Sequence, residues 1–168
     1  VTYTRDGIQV NSIKQSEHDS SIEWSVTKLN DIDVVNIYKP LGSSVNFKSL
    51  SNPSPFVCGD FNSRHPERGY PNTNPNGEAV LNWAEVYELH LLHDPKASPS
   101  FFSKRHKSWT NPDLTFVSPN LANKCVRDVL DHFSRSGHCP IIIRSTTNAK
   151  INTINKKRWN FRKADWNK

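Results

Sequence analysis

Short extended segments separated by turn residues dominate the first sixty residues and limit what this chain can fold into. Residues 21–29, SIEWSVTKL, place Ile22, Trp24 and Val26 at alternate positions, which is the period of a half-buried strand. Residues 31–40 and 55–62, DIDVVNIYKP and PFVCGDFN, are short runs rich in apolar and β-branched residues. These two runs predict strands that are buried on both faces, so a sheet forms the centre of the expected fold.

A change to helical period follows in residues 74–92, NPNGEAVLNWAEVYELHLL, where apolar residues recur on one face and Asn76-Gly77-Glu78 marks the predicted start. The members of this face are Val80, Trp83, Ala84, Tyr87 and Leu91. Residues 100–113, SFFSKRHKSWTNPD, are predicted as a polar excursion between strands. Three further strands are predicted at DLTFVSP, CVRDVL and CPIIIRS. Strands with one clear helix indicate an α/β layered domain.

Polar residues stand at the ends of three of these strands. Asp60 and Asn62 follow a buried run, and side chains at i and i+2 of a strand share a face, so the two would project together. A carboxylate there can accept a proton from water, although a turn held by local side-chain hydrogen bonds explains the same two residues. Asp113 opens another strand and His138 precedes a third. An acid with an amide, a second acid and a histidine are the parts of a hydrolytic site.

Three segments in order, GDFNSRHPERG, NPDLTFVS and SGHCPIII, resemble the endonuclease/exonuclease/phosphatase superfamily. More narrowly, they resemble the apurinic-type endonuclease domain of jockey-like non-LTR retrotransposons. VVNIYKP resembles that family's tyrosine motif, and RWNFRKADW resembles its connector towards the reverse transcriptase. The resemblance implies a two-sheet, four-layer α/β sandwich over residues 1–148, lacking its N-terminal strands, and a basic, aromatic connector over residues 149–168. Because the sequence starts at Val1 and contains no methionine, we expect a fragment of a longer product.

The resemblance implies DNA nicking by metal-dependent phosphodiester hydrolysis, and it gives a role to each of five residues. Asp60 would activate the attacking water, and Asn62 would hold that water or the scissile phosphate. Tyr38 would donate a hydrogen bond to the phosphate. His138, oriented by Asp113, would stabilise the growing negative charge. The implied cofactor is Mg²⁺, and the implied partners are DNA and the reverse-transcriptase domain of the same polyprotein, with action inside the cell, in the nucleus.

The sequence also departs from the family pattern. The family's metal-binding Glu belongs upstream of the motifs found here, and Gly137 stands where the family has the Asp of Ser-Asp-His. Arg68 stands where the family usually has an aromatic residue, which predicts altered packing. The resemblance therefore implies a metal site without its main ligands and a degenerate enzyme whose nicking is very slow or absent. The alternative is a non-catalytic remnant that retains the fold and binds nucleic acid.

The basic charge of the chain lies at one end. Residues 1–148 hold 15 Lys and Arg against 15 Asp and Glu, whereas residues 149–168 hold seven basic residues and one acid. Such a segment suits a phosphate-rich partner, or it is a solvated tail without one. No apolar run is long enough to span a membrane. Three cysteines without CxxC spacing favour reduced thiols inside a cell.

Three smaller motifs have both a functional and an ordinary interpretation. His90 and His93 have a spacing that zinc can use, but no third ligand accompanies them and surface histidines are the preferred interpretation. Asp131 and His132 are interpreted as a surface pair. Residues 103–109, SKRHKSW, could follow a phosphate backbone and stack a base, or they form a solvated loop.

Overall fold

The computed structural model describes residues 10–16, 21–29, 32–44, 47, 50, 54–94, 96–131 and 136–146. The connector predicted at residues 149–168 therefore lies outside the described residues, as does His132. The helices are α1 Pro75–Val86 and α2 Pro119–Ala122. The strands are β1 Val10–Gln15, β2 Glu23–Leu29, β3 Ile32–Tyr38, β4 Phe56–Asp60, β5 His90–Leu91, β6 Phe101–Ser103, β7 Ser108–Thr110, β8 Asp113–Val117, β9 Cys125–Val129 and β10 Ile141–Ser145.

Six strands form the principal sheet in the order β1-β2-β3-β4-β8-β5. Neighbouring strands in this sheet are antiparallel, except that β3 and β4 are parallel. Strands β9 and β10 form a small antiparallel sheet, and β6 and β7 form a hairpin. Phe56 and Val117 of the principal sheet pack with Cys125 and Ile143 of the small sheet, so the two sheets face each other. The predicted two-sheet α/β sandwich is confirmed in this part of the chain.

Helix α1 covers the opposite face of the principal sheet. Asn74 caps the helix, because its side chain accepts a hydrogen bond of 2.8 Å from the Gly77 N–H, and a proline occupies the first turn. Val80, Trp83 and Ala84 are buried in the core, as the helical spacing predicts. Among the described residues, no helix is long and apolar enough to cross a membrane.

The end of α1 differs from the prediction. The helix stops at Val86, and Glu88 then takes a left-handed conformation with φ of 53°, after which the Leu89 N–H bonds back to the Ala84 carbonyl at 2.8 Å. Leu91, predicted as the last member of the helical face, lies in β5 instead. It reaches the same core from the sheet, which is why its spacing resembled a helical position.

Residues 101–110 form a hairpin where a polar excursion is predicted. Phe102 on β6 and Trp109 on β7 lie opposite each other, with their ring centroids 5.0 Å apart. Aromatic pairs across two strands stabilise such short ladders. The two strands have only three residues each, so their alternation is too short to identify from the sequence.

Strand β3 is buried on one face, whereas its other face is covered only at the start, where Ile32 and Val34 pack against the cluster of Phe56 and Val117. Val35 and Ile37 lie in the core under α1, whereas Asn36 and Tyr38 are exposed on the other face. The small sheet consists of two strands in the described residues and its contacts with the principal sheet centre on β4 and β8. The far end of β3 is therefore accessible to solvent on this side.

Candidate active site

Three adjacent strands of the principal sheet end side by side. Tyr38 on β3 lies opposite Asp60 on β4, and Asp60 lies opposite Asp113 on β8. Residues that are opposite in register project to the same face of a sheet. Here that face is shared with Phe56 and Val117 and is directed towards the small sheet. The fold therefore places a phenol and two carboxylates in one row.

Gly59 allows β4 to run closely beside β3 up to Asp60. Its φ is 144°, and a Cβ at this position would lie 1.8 Å from the backbone oxygen of Ile37. Glycine is therefore required for the close approach of the two backbones. The Lys39 N–H donates to the Asp60 carbonyl at 2.8 Å, which holds the chain of β3 against β4 beyond Tyr38.

His138 reaches the row through the β6–β7 hairpin. Phe101 and His138 form an isolated antiparallel bridge, and beside it the Phe102 N–H donates to the Gly137 carbonyl at 2.9 Å. The Phe101 ring centroid lies 4.6 Å from that of the imidazole. On its other side, Nδ1 of His138 lies 2.9 Å from Oδ2 of Asp113. The ring is thus held between an aromatic side chain and a carboxylate.

Asp60, Asp113 and His138 form a group that could hold a divalent cation. One ligand atom from each residue lies within 4.8 Å of the other two. Carboxylate oxygens suit Mg²⁺ and Mn²⁺, whereas imidazole suits later transition metals better. The donor set therefore fits a hard divalent ion held mainly by Asp60 and Asp113. Sequence reasoning assigned no metal ligand, because it placed the main ligands upstream and at position 137.

The surroundings of Asp60 raise the pKa of its carboxyl above the ordinary value. Burial is the largest cause, and the charge of Asp113 acts in the same direction. His138 and hydrogen bonds from Asn62 act against them. A carboxylate with a raised pKa is a stronger base than an exposed one, so Asp60 is suited to accept a proton.

Asn62 stays beside Asp60 through a turn, and not through a continued strand. Strand β4 ends at Asp60, and Asn62 has a left-handed backbone with φ of 43°. Its backbone N–H donates to Oδ1 of Asp60 at 3.1 Å, and its side-chain amide donates to the Lys39 carbonyl at 2.9 Å. The expected i and i+2 alternation is wrong here. From the sequence alone, a local turn is the alternative to a site, and it is this turn that holds Asn62 beside Asp60.

The outer end of the row is open to solvent. Tyr38 is 47% exposed, so its side chain is accessible to a ligand. Glu23 on β2 lies opposite Tyr38 and is also exposed, which adds a third carboxylate to the row. Sequence reasoning missed Glu23. The alternation of SIEWSVTKL separates Glu23 from the apolar face, but only the register of β2 with β3 places it beside Tyr38.

Lys39 and Arg68 are buried cations, and sequence reasoning did not predict their burial. Lys39 is 1% exposed, and its Nζ donates to the Pro40 carbonyl at 2.9 Å. Burial lowers its pKa, although the charge of Asp60 opposes this. Arg68 is also 1% exposed, and its Nη1 donates to Oγ of Ser63 at 2.9 Å. Burial lowers the pKa of Arg68 to about 10.

The basic motif of residues 103–109 forms the exposed end of the hairpin. Residues 104–107 make the turn between β6 and β7, and all of them are exposed. Trp109 is 46% exposed and lines a cavity of about 350 Å³ together with Ser98, Pro99, Asp131 and Cys139. Cys139, which lines this cavity, directly follows His138 in the chain.

His90 and His93, which were considered for zinc, belong to no group of three potential ligands among the described residues. Among the described residues, the group of Asp60, Asp113 and His138 is the only one that could hold an ion. His90 is exposed, as expected, but His93 is partly buried and its Nε2 has no hydrogen-bond partner among the described residues. Burial, and then the charge of Arg127, lowers the pKa of His93. The interpretation of His93 as a surface residue is therefore wrong.

The facing sheets, the helix on the outer side and the polar row at the strand ends define an α/β sandwich of the endonuclease type. Residues 32–142, which are more than half of the chain, match the family model described as endonuclease-reverse transcriptase. The chain belongs to this family, and the resemblance found in its motifs is confirmed.

The fold is similar to a solved structure, the endonuclease domain of TRAS1, a telomere-specific non-LTR retrotransposon. The TM-score is 0.57 at 13% sequence identity, and the match covers 81% of this chain and 67% of that one. At this identity the similarity supports the fold alone. No curated protein matches the sequence.

Proposed function

We propose that the chain is a metal-dependent phosphodiester hydrolase that nicks DNA, as the endonuclease domain of a retrotransposon polyprotein that also carries a reverse transcriptase. The observation that carries this proposal is the group of Asp60, Asp113 and His138, gathered from three separate elements within 4.8 Å of one another. Two acids and an imidazole at strand ends are the groups that hydrolysis of a phosphodiester requires. Membership of the endonuclease-reverse transcriptase family supports the same chemistry.

Asp60 acts as the base that accepts a proton from the attacking water. Its place at the end of β4 puts it beside the other members of the row. Asn62 is bonded to Asp60 Oδ1 and to the Lys39 carbonyl, so its amide lies where the water or a phosphate oxygen would bind. Alignment of the water with the scissile phosphorus is the main requirement of this step.

His138 stabilises the negative charge that develops on the phosphoryl oxygens. Oδ2 of Asp113 lies 2.9 Å from Nδ1, and Nε2 is the nitrogen that we assign to the phosphoryl oxygens. The carboxylate fixes the orientation of the ring, and stabilising an anionic oxygen requires the imidazolium form, in which Nε2 also carries a proton. Tyr38, accessible at the outer end of the row, donates a hydrogen bond to the phosphate from the solvent side.

Mg²⁺ is the proposed cofactor, with Asp60 and Asp113 as its protein ligands and His138 beside them. When bound, the ion neutralises phosphate charge and lowers the pKa of water. Mg²⁺ commonly keeps several waters and one or two carboxylates, so this small ligand set is sufficient to hold it weakly. Gly137 removes one carboxylate that the family pattern includes, and we therefore expect nicking to be slow.

Conversion of supercoiled plasmid to the open circle, with protein in excess over DNA, tests the proposal. We expect slow nicking in Mg²⁺ that EDTA stops. Asp113→Asn should lower the rate by about 10²–10³-fold with DNA affinity unchanged, because it removes the charge that supports His138. The matched control is Asp128→Asn, an exposed acid on the outer face of β9, which should keep the rate. Equal nicking by the Asp113 variant would contradict the proposal.

A nucleic-acid-binding remnant without activity is the second candidate. Gly137 and the exposed basic turn of residues 104–107 favour it. It requires that no nicking occurs while DNA still binds, with affinity that falls as salt rises. If residues 149–168 carry the affinity, removing them should reduce the slope of log affinity against log salt by at most about 6. Measurement of binding by fluorescence anisotropy beside the nicking assay separates the two candidates.

A further inference from the structure

We propose that Arg127 is a positioning residue, which fixes Asp113 from the small sheet and thereby sets the orientation of His138. The inference rests on the proposed function of this site and adds a residue to it. Arg127 lies in β9, which belongs to the sheet opposite the row. No motif of the sequence pointed to it.

Arg127 projects into the space between the two sheets. Cys125, two residues before it in β9, is buried against the principal sheet, whereas Val126 between them is 56% exposed on the outer side. Alternation along the strand directs Arg127 inwards like Cys125. Its Nη2 donates to the Asp113 carbonyl at 3.0 Å, so a side chain of the small sheet holds the first residue of β8.

This hydrogen bond takes the place of a neighbouring strand on the β5 side of Asp113. The ladder between β5 and β8 pairs Leu91 with Phe116 and His90 with Val117, and it does not extend to the start of β8. Strand ends that lack a neighbour fray more readily than strand centres. Arg127 supplies a hydrogen-bond donor at this end of β8. The residue that it holds is Asp113, whose carboxylate must face the imidazole of His138.

The chemistry of Arg127 is poorly suited to packing alone. Its guanidinium is partly buried, and its Nε has no hydrogen-bond partner among the described residues. Burial lowers its pKa, and the charge of Asp113 is what opposes this effect. A methionine would fill the same space without the cost of burying a cation. The favourable interaction with Asp113 accounts for a charged residue at this position.

The orientation of Asp113 determines where His138 carries its proton. With Oδ2 of Asp113 at 2.9 Å from Nδ1, a neutral imidazole holds its proton on Nδ1 and its lone pair on Nε2. Groups that orient a carboxylate or imidazole from behind commonly alter metal affinity or activity by about 10–100-fold. A displaced Asp113 would release Nδ1 and permit the other tautomer.

The tautomer of His138 tests the inference without requiring catalysis. Two-bond ¹H–¹⁵N correlation spectra of the full chain, labelled at histidine and free of divalent ions, report which nitrogen is protonated. We expect the Nδ1–H form in the unmodified protein, a mixture with the Nε2–H form in Arg127→Met, and a smaller shift in Arg127→Lys. The control is Arg144→Met, on the partner strand β10, where Arg144 is exposed and pairs with Asp128.

Binding of Mn²⁺, followed by electron paramagnetic resonance, is the second measurement. Arg127→Met should weaken it by about 10–100-fold, whereas Arg144→Met should leave it unchanged. Circular dichroism establishes that each variant is folded. Unchanged tautomer and unchanged Mn²⁺ affinity in a folded Arg127→Met protein would overturn the inference. If that variant does not fold, the same result in Arg127→Lys would overturn it.

Failure of the proposed function has a different signature. A protein that never nicks DNA, but whose His138 tautomer responds to Arg127→Met, would refute the hydrolase and retain the positioning role. An Nε2–H tautomer in the unmodified protein would contradict the Asp113–His138 pair itself, and the inference would fall with it.

Discussion

The two faces of the principal sheet use neighbouring residues of the same strands for opposite purposes. On the face under α1, Ile37, Leu114 and Phe116 belong to one apolar cluster. On the face towards the small sheet, the adjacent residues Tyr38 and Asp113 join the polar row. Because side chains alternate along a strand, β3 and β8 supply packing with one set of residues and chemistry with the other.

The two faces also differ in what they bury. The helix side packs rings, such as Trp83 and Phe116 with centroids 5.8 Å apart. The other face carries the carboxylates of the row, and burial raises the pKa of Asp60 there. Nε1 of Trp83 and Nε of Arg127 are both buried without a hydrogen-bond partner among the described residues, so unsatisfied atoms do not separate the two faces. The difference is apolar packing on one face against a partly buried charge on the other, which costs stability, and three variants can test it.

Trp83→Ala should have the largest effect. It removes a buried ring from the helix side, and we expect a loss of about 3–5 kcal/mol in the free energy of unfolding, measured by urea denaturation. Val86→Ala on the same helix is the control, since Val86 is 74% exposed, and it should change stability by less than about 0.5 kcal/mol. Similar losses for the two variants would contradict the assignment of stability to this face.

Gly137→Asp, which restores the family's residue, should have an intermediate effect. Gly137 has φ of 89°, and an added Cβ would lie 2.9 Å from the Phe102 backbone oxygen and 3.2 Å from the Phe101 ring. We expect a loss of about 1–3 kcal/mol and no gain in plasmid nicking. Gly137→Ala carries the same strain without a carboxylate and should lose as much stability. Faster nicking by an undestabilised Asp variant would show that the loop adapts.

Asp60→Asn should have the smallest effect, and in the stabilising direction. Because the folded-state pKa of Asp60 is raised, the folded protein binds this proton more tightly than the unfolded chain does. Below pH 3.8, the ordinary pKa, the carboxyl is protonated in both states and stability is not reduced. Above the raised pKa, the buried charge lowers the free energy of unfolding by its full amount. The variant should gain about 0.5–1 kcal/mol at neutral pH and nothing at pH of about 3.

Thermal denaturation in EDTA at both pH values measures this gain. Asp128→Asn, which alters an exposed acid, is the control and should show no comparable gain. An Asp60→Asn protein that is less stable at neutral pH would mean that the carboxylate is stabilised by its surroundings, which is opposite to the raised pKa.

The elements that carry the site could be predicted because their signals are local. Short apolar runs that end at Asp60, or begin at Asp113, identify strand ends without tertiary information. The assignment of those ends to one row required the register of three strands, which the residues do not encode in any simple pattern. The roles given to Tyr38, Asn62 and His138 stay predictions.

The remainder depended on tertiary structure that no local pattern reveals. Lys39 and Arg68 are cations, a residue type that is rarely buried, yet both are buried. Asn62 left the strand because its amide and N–H found partners in a turn. Arg127 alternates correctly in β9, but its partner is 14 residues earlier in the chain, in another sheet.

The alignment of strand ends makes the site an indicator of sheet register. A slip of β8 by one residue would turn Asp113 to the helix side and place Leu114 opposite Asp60, so an acid would enter the apolar core. A slip by two residues would restore the face but move the carboxylate about 7 Å along the strand, beyond hydrogen-bond reach of His138. Misaligned forms of the sheet would therefore lack the site altogether. Any activity measured for this chain would come only from the molecules that folded in register.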